Sequence, residues 1–282
     1  MCVHAHPDDE ASKGAPTIAK YVAMGHEASL VCATGGEEGD ILNPAMDRAE
    51  VRDNLHQIRR AELEASVKEI GYTECVMLGY RDSGMPDTEG NLHTGCFARA
   101  DFDEAVGRFV AEIRRFRPHV IITYADDQQG YQHPDHLMVH DISIPAFDRA
   151  GDRSWYPETG EPWTPLKLYY SMWTRARLDA WQAKYDELGL ESPYDERWWD
   201  RPDMDGRIST KIEIEAFYGV RSRALLAHAT QIDPEEKFWF GLPDHHAAAA
   251  YPFEDYILAL SRVPTGRYET DLLEGVDAGS QM

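Results

Sequence analysis

Apolar and polar positions alternate along the first half of the chain in two rhythms. Short apolar runs at Cys2 to Ala5, Ala28 to Ala33, Cys75 to Leu78 and Val120 to Tyr124 have the length and β-branched content of buried strands. Between them lie longer amphipathic stretches at Ala11 to Met24, Ala49 to Ile70, Phe102 to Phe116 and Pro134 to Arg149, with Gly25, Gly71 and Pro118 where helices should stop. This β-α-β-α rhythm predicts an α/β fold with a Rossmann-like, doubly wound, mostly parallel sheet. The first strand is short for a buried one, and Met1 lies only five residues before His6, a position that fits a late start codon.

Beyond residue 150 the pattern changes. All seven tryptophans lie there, and the proline-rich stretch from Tyr156 to Pro165 marks the shift. The expected division is a catalytic domain over residues 1–155 and a smaller α+β C-terminal region over 156–282 packed on it. That region offers a strand at Leu166 to Ser171 and helices around Arg175 to Leu188, Lys211 to His228 and Phe253 to Ser261. No internal repeat is visible.

With 282 residues and 43% hydrophobic content the chain can fill a substantial core. Its net charge of −22, from 50 acidic and 28 basic side chains, repels phosphate backbones and anionic lipid, so neither nucleic acid nor a membrane is an expected partner. A homo-oligomer is compatible with everything in the sequence. Cys2, Cys32, Cys75 and Cys96 show no paired spacing, and neither a leader nor an apolar run of 18 residues is present, so a reduced, cytoplasmic protein is expected.

The chemistry concentrates in His6-Pro7-Asp8-Asp9-Glu10 and His133-Pro134-Asp135-His136, each following an apolar strand. In an open α/β sheet, sites form outside the carboxyl ends of strands, where two such motifs can share one metal. His6, Asp9 and His136 offer three nitrogen and oxygen donors, the number zinc hydrolases commonly use while leaving a fourth position for water. The competing reading of the first motif is an N-capping Asp pair ahead of Glu10. The second also resembles a helix start, with Pro134 in the first turn, but capping requires no histidine on either side. His140, four residues after His136, and His4, two before His6, read as packing or supporting residues.

These paired motifs resemble those of the PIG-L/LmbE family of zinc-dependent N-deacetylases and amidases. Lys13-Gly14-Ala15, Gly35-Gly36-Glu37, Ile41 to Asp47, Phe116-Arg117-Pro118-His119 and His228 to Pro234 are similar to the branch that cleaves S-conjugates of mycothiol, more than to the branch that deacetylates its precursor. The resemblance implies one zinc ion, or another divalent metal, held by His6, Asp9 and His136, with Asp8 as general base on the bound water. It also implies that His133 stabilises the oxyanion or protonates the leaving amine, that Asp135 orients or tunes His133, and that Tyr131 polarises the substrate carbonyl. A donor aimed at developing charge is commonly worth about 3 kcal/mol. Lys13, Glu37, Arg59 and Asp82 match substrate-side positions. The alternatives are a solvated first-turn residue for Lys13, an exposed helix residue for Arg59 and a turn former for Asp82.

Two departures weaken the amidase match. The loop reads Gln129-Gly130-Tyr131-Gln132-His133 where Gly-Gly-Tyr-Pro-His is usual, and Glu38 stands where an arginine is typical, so that Glu37-Glu38-Gly39 is closer to the deacetylase. The Gly35 to Gly39 loop has no Gly-Lys-Ser/Thr ending and therefore no phosphate-loop character. The expected activity is hydrolysis of the amide in a mycothiol S-conjugate, giving a mercapturic acid and glucosaminyl-inositol. The rivals are deacetylation of N-acetylglucosaminyl-inositol or another N-acyl sugar, and a non-catalytic metal-binding protein. For the amidase, some of Trp155, Trp163, Trp173, Trp198, Trp199 and Trp239 should line an apolar side of the cleft, with no more than about two reaching substrate.

Overall fold

A computed structural model describes residues 1–126, 128 and 130–276. Seven strands form one sheet in the order β3-β2-β1-β4-β5-β7-β6, comprising β1 (Cys2–His4), β2 (Ser29–Thr34), β3 (Glu74–Tyr80), β4 (Val120–Tyr124), β5 (Lys167–Met172), β6 (Thr210–Glu213) and β7 (Phe253–Ser261). The first five in that order run parallel, whereas β7 is antiparallel to both β5 and β6. The parallel part is the α/β sheet that the alternating pattern predicts.

Helices cover both faces. α1 (Asp9–Ser12), α2 (Ala15–Ala23), α3 (Ala49–Asp53), α4 (Leu55–Ile70), α5 (Phe102–Phe116) and α6 (Pro134–Arg149) belong to the first half. α7 (Arg175–Leu188), α8 (Glu196–Trp199), α9 (Tyr218–Ala227), α10 (Lys237–Phe240) and α11 (Asp244–Ala250) belong to the second. Successive strand residues point to opposite faces. Cys2, Leu30, Ile122 and Tyr169 therefore pack with α2, α4, α7 and α9, while Val3, Val31, Ile121 and Leu168 pack with α5 and α6. Gly71 closes α4 in the left-handed conformation, and α5 ends at Phe116, two residues before Pro118.

Two of the expected helices are corrected. Phe253–Ser261 is strand β7, and the first residues of the Lys211 to His228 segment belong to strand β6, with helix α9 starting only at Tyr218. β7 lies between β5 and β6 and buries residues toward both faces, Tyr256 on one and Ile257 on the other. A strand covered on both sides loses the period of two that would distinguish it from a buried helix. The second half's strands thus extend the first half's sheet. Among the described residues no helix is long and apolar enough to cross a membrane.

Candidate metal centre and active site

β1 and β4 are neighbours at the point where the chain order of the sheet reverses, and both site motifs leave their carboxyl ends. This is the crevice where open α/β sheets bind ligands. β1 delivers His6, and the short helix α1 begins at Asp9. β4 ends at Tyr124, and a loop carries the chain to His133 and α6.

The structure brings His6, Asp9 and His136 together, all buried. Asp9 Oδ2 lies 3.4 Å from His6 Nδ1 and 3.3 Å from His136 Nε2. In a tetrahedral zinc site with bonds of 2.0–2.1 Å, donor atoms stand about 3.3 Å apart, so both separations from Asp9 suit a shared metal. Asp9 is fixed from several sides. Its Oδ2 accepts from the His6 backbone N–H at 3.0 Å and from Tyr124 Oη at 2.6 Å, and its Oδ1 accepts from Lys13 Nζ at 2.5 Å. The Tyr124 ring also stacks on His136, 4.3 Å between centroids. Burial lowers the His136 pKa to about 4, which keeps the imidazole neutral and able to ligate.

His6 also belongs to a second group with Asp82, His133 and Asp135. Its Nε2 lies 3.2 Å from Asp135 Oδ2 and 3.4 Å from Asp82 Oδ1, while its Nδ1 faces Asp9. A carboxylate on the far nitrogen of a ligating imidazole fixes ring orientation and tautomer. Asp135 was expected to orient or tune His133: its charge does raise the His133 pKa against burial, but its carboxylate bonds His6 and the Ser83 N–H and hydroxyl, and the Asp135 backbone N–H is what meets His133 Nδ1, at 3.2 Å. His133 thereby caps α6, a function the sequence did not require of it. With Nδ1 accepting, the proton of the neutral ring sits on Nε2. Burial and the neighbouring His6 lower the His133 pKa, favouring that neutral form.

Asp8 does not cap α1. Its backbone is left-handed, φ 108°, and its side chain makes no capping bond. The carboxylate lines the cavity beside Asp9, and burial together with the Asp9 charge raises its pKa to about 6, a value suited to accepting a proton near neutrality. Arg59 is buried, not exposed. It donates to the carbonyls of Gly36 and Pro7, and its Nη2 lies 3.8 Å from Asp8 Oδ2. A Cβ on Gly36 would collide with that guanidinium, which explains the glycine.

Asp82, also buried, accepts from the N–H groups of Glu38 and Gly84 and faces His6. Glu37 Oε2 accepts from the Asp82 N–H at 2.8 Å, so it supports Asp82 from behind, and it is absent from the cavity lining among the described residues. Glu38 pairs with Arg81 and does line the cavity. Tyr131, 51% exposed, stands over His136 at the cavity wall. Gln129 of the variant loop lies outside the described residues. His140 bonds the Tyr124 carbonyl, and His4, buried with neither ring nitrogen bonded, packs edge-on against Tyr124.

The cavity holds about 670 Å³. Asp8, Glu38, Asp40, Arg59, Asp82 and Gln231 are among its polar lining residues; Trp173, Trp198, Phe238 and Trp239 form a contiguous aromatic wall. Three tryptophans therefore face the cavity, while Trp181 is core and Trp155, Trp163 and Trp199 lie elsewhere. The Ile41 to Asp47 and His228 to Pro234 strings pack on each other. The N–H groups of Leu42 and Asn43 bond the Thr230 carbonyl, and Gln231 bonds the Asp40 carbonyl. The sequence did not single out Tyr124, Ser83, Ser66 or Glu10 as site residues; a tyrosine at the very end of an apolar strand was the available signal for the first.

The family description PIG-L, GlcNAc-PI de-N-acetylase, matches residues 1–147. The chain is similar to a mycothiol S-conjugate amidase of Streptomyces coelicolor, 44% identical over 285 residues that cover 98% of this chain and 96% of that protein. It is also similar to a 1D-myo-inositol 2-acetamido-2-deoxy-alpha-D-glucopyranoside deacetylase of Streptomyces avermitilis, 37% identical over 290 residues, 98% and 96% of the two chains. The fold is that of N,N'-diacetylchitobiose deacetylase from Pyrococcus horikoshii, with a TM-score of 0.61, 18% identity and coverage of 91% and 82%.

Proposed function

The chain belongs to the PIG-L family, and from that premise we propose that it is a zinc-dependent amidase that hydrolyses mycothiol S-conjugates to a mercapturic acid and glucosaminyl-inositol. The observation that carries the reading is the continuity of one cavity from the His6, Asp9 and His136 donors to the Trp173, Trp198, Phe238 and Trp239 wall. An acetyl group has no use for that wall. A variable thioether substituent does, because rigid aromatic faces accept apolar groups of many shapes with little loss of side-chain entropy.

His6, Asp9 and His136 would hold the zinc, which when bound lowers the pKa of water and polarises a carbonyl. Asp8 takes the proton from the attacking water through its carboxylate oxygen. His133, with its proton on Nε2, donates a hydrogen bond to the carbonyl oxygen as charge develops, and the proton that Asp8 took from water passes to the departing nitrogen. Tyr131, at the cavity wall, polarises the same carbonyl through its hydroxyl, and Lys13 neutralises the outer oxygen of Asp9. Asp82, Arg59 and Glu38 face the sugar half, and residues 156–282 supply the aromatic wall opposite the catalytic residues of 1–155. Glu38 at the polar rim favours the runner-up, deacetylation of N-acetylglucosaminyl-inositol, because it and Gly39, two residues of the deacetylase-like Glu-Glu-Gly string, line the cavity.

The test is to incubate the zinc-loaded enzyme with an S-benzyl mycothiol conjugate and identify the products by mass. Release of N-acetyl-S-benzylcysteine and glucosaminyl-inositol in equal amounts is expected. Release of acetate with the cysteinyl amide intact contradicts the proposal.

A further inference from the structure

Glu10 continues the Asp8-Asp9 pair but is fully buried. Its Oε2 accepts the Asp8 backbone N–H at 2.9 Å, and its Oε1 takes both the Ser66 hydroxyl at 2.5 Å and His228 Nε2 at 2.6 Å. The carbonyl of the same peptide unit, that of Pro7, accepts Arg59 Nη2 at 3.1 Å. Both ends of the Pro7–Asp8 peptide are thus held by buried charged side chains. Arg59 and Ser66, seven residues apart on α4, share the helix face that reaches it. Asp8 carries a φ of 108°, which a side chain with a Cβ adopts only where its surroundings over-determine it.

An imidazole and a carboxylate with no exposure are not needed for stability, since apolar side chains of like volume fill such space as well. What the pair supplies is direction. Asp9 is anchored separately, by the His6 N–H, Tyr124 and Lys13, so the metal donors do not depend on Glu10.

We propose that Glu10, Ser66 and His228 are positioning residues, a buried clamp that holds the Pro7–Asp8 peptide in its left-handed turn and so aims the Asp8 carboxylate into the cavity. The clamp acts through Asp8 and touches no substrate. It gives a task to His228, which opens one of the strings shared with the amidase branch, and it rests on the reading of Asp8 as the base.

The test uses zinc-loaded Ser66→Ala, His228→Phe and the conservative His228→Gln, which keeps an N–H donor. Each is assayed on whichever N-acyl glucosaminyl-inositol the parent enzyme hydrolyses, with metal content measured and the crystal structure determined. His228→Phe should lose about 10²-fold in kcat, the scale of a misplacement near 1 Å, with KM and metal content within about twofold of the parent. His228→Gln should recover most of that loss, Ser66→Ala should show a smaller one, and Asp8 should leave positive φ in the Phe variant. If His228→Phe does not fold, Ser66→Ala carries the same readouts. Unchanged kcat in the folded variants, a loss confined to KM or metal content, or Asp8 keeping its φ while kcat falls overturns the clamp. If the parent hydrolyses no such amide, the functional reading fails, and the Asp8 backbone in the variant crystals alone decides the clamp.

Discussion

Replacing Asp8 with Asn separates the proton acceptor from the metal donors with little structural disturbance. Asn has the shape of Asp, and the Asp8 side chain makes no capping bond that the change would break. Two electrostatic effects oppose each other. The partly exposed ion pair with Arg59 at 3.8 Å is lost, at a cost of about 0.5 kcal/mol, while the burial cost and the repulsion from Asp9 that together raise the Asp8 pKa to about 6 are relieved. The net change in stability should stay within about 1 kcal/mol, or roughly 3 °C in Tm. Turnover responds differently, because an amide cannot take a proton from water at neutral pH. With His6, Asp9, His136 and His133 in place, the loss should be about 10²-fold to 10³-fold in kcat, equivalent to about 3–4 kcal/mol of barrier. The assay is appearance of the free amine from an N-acyl glucosaminyl-inositol, run beside metal analysis by mass spectrometry and a thermal melt. Metal content near one per chain with kcat down by that factor is expected. A fully metallated Asp8→Asn enzyme within tenfold of the parent would refute the assignment of the base, and equal metal loss in Asp8→Asn and Asp9→Asn would refute the division between the two carboxylates.

Three further outcomes follow from other parts of the structure. His136→Ala should bind metal far more weakly than the parent, and full occupancy after dialysis would mean the donors are misassigned. Trp239→Ala should remove roughly 60 Å² of apolar contact, about 1.5 kcal/mol, and so cost about tenfold in kcat/KM for an S-benzyl conjugate while leaving an S-methyl conjugate nearly unaffected; equal losses on both would deny the wall its role in selectivity. Lys167 and Glu269 form a fully buried ion pair at 2.7 Å, and Lys167 also bonds the Glu274 carbonyl, so Lys167→Met should destabilise by about 3–5 kcal/mol, measured by denaturant unfolding, with partial recovery in Lys167→Met/Glu269→Leu.

Much of the architecture was legible in local pattern. The four strands and the helices of the first half, with their glycine and proline stops, follow from periodicity because each element buries a face of regular spacing. β7 was not, because it is covered on both faces and its apolar run from Tyr256 to Leu260 lacks a period of two, and Ala259 and Leu260 in it suit a helix as well. The grouping of His6, Asp9 and His136 was readable because two short motifs carry them. Their supports were not, since Ser66 and His228 meet Glu10 across 56 and 218 residues and no local rule links them. The bond from the Asp135 carboxylate to His6 likewise depends on how α6 approaches β1, which only the packed structure reveals. Arg59 illustrates the same limit: a charged helix residue beside Arg60 reads as exposed until the Gly36 loop folds over it.

The central claim is that the cavity serves a bulky S-conjugate and not an acetyl group. Its most direct test is kcat/KM measured side by side for an S-benzyl mycothiol conjugate and for N-acetylglucosaminyl-inositol, with one enzyme preparation, zinc-loaded, in one buffer. The account expects the conjugate to be preferred by at least about tenfold, since burying roughly 60 Å² of the benzyl group against the tryptophan wall is worth about 1.5 kcal/mol. A preference for the acetylated sugar would contradict it and make the protein a deacetylase.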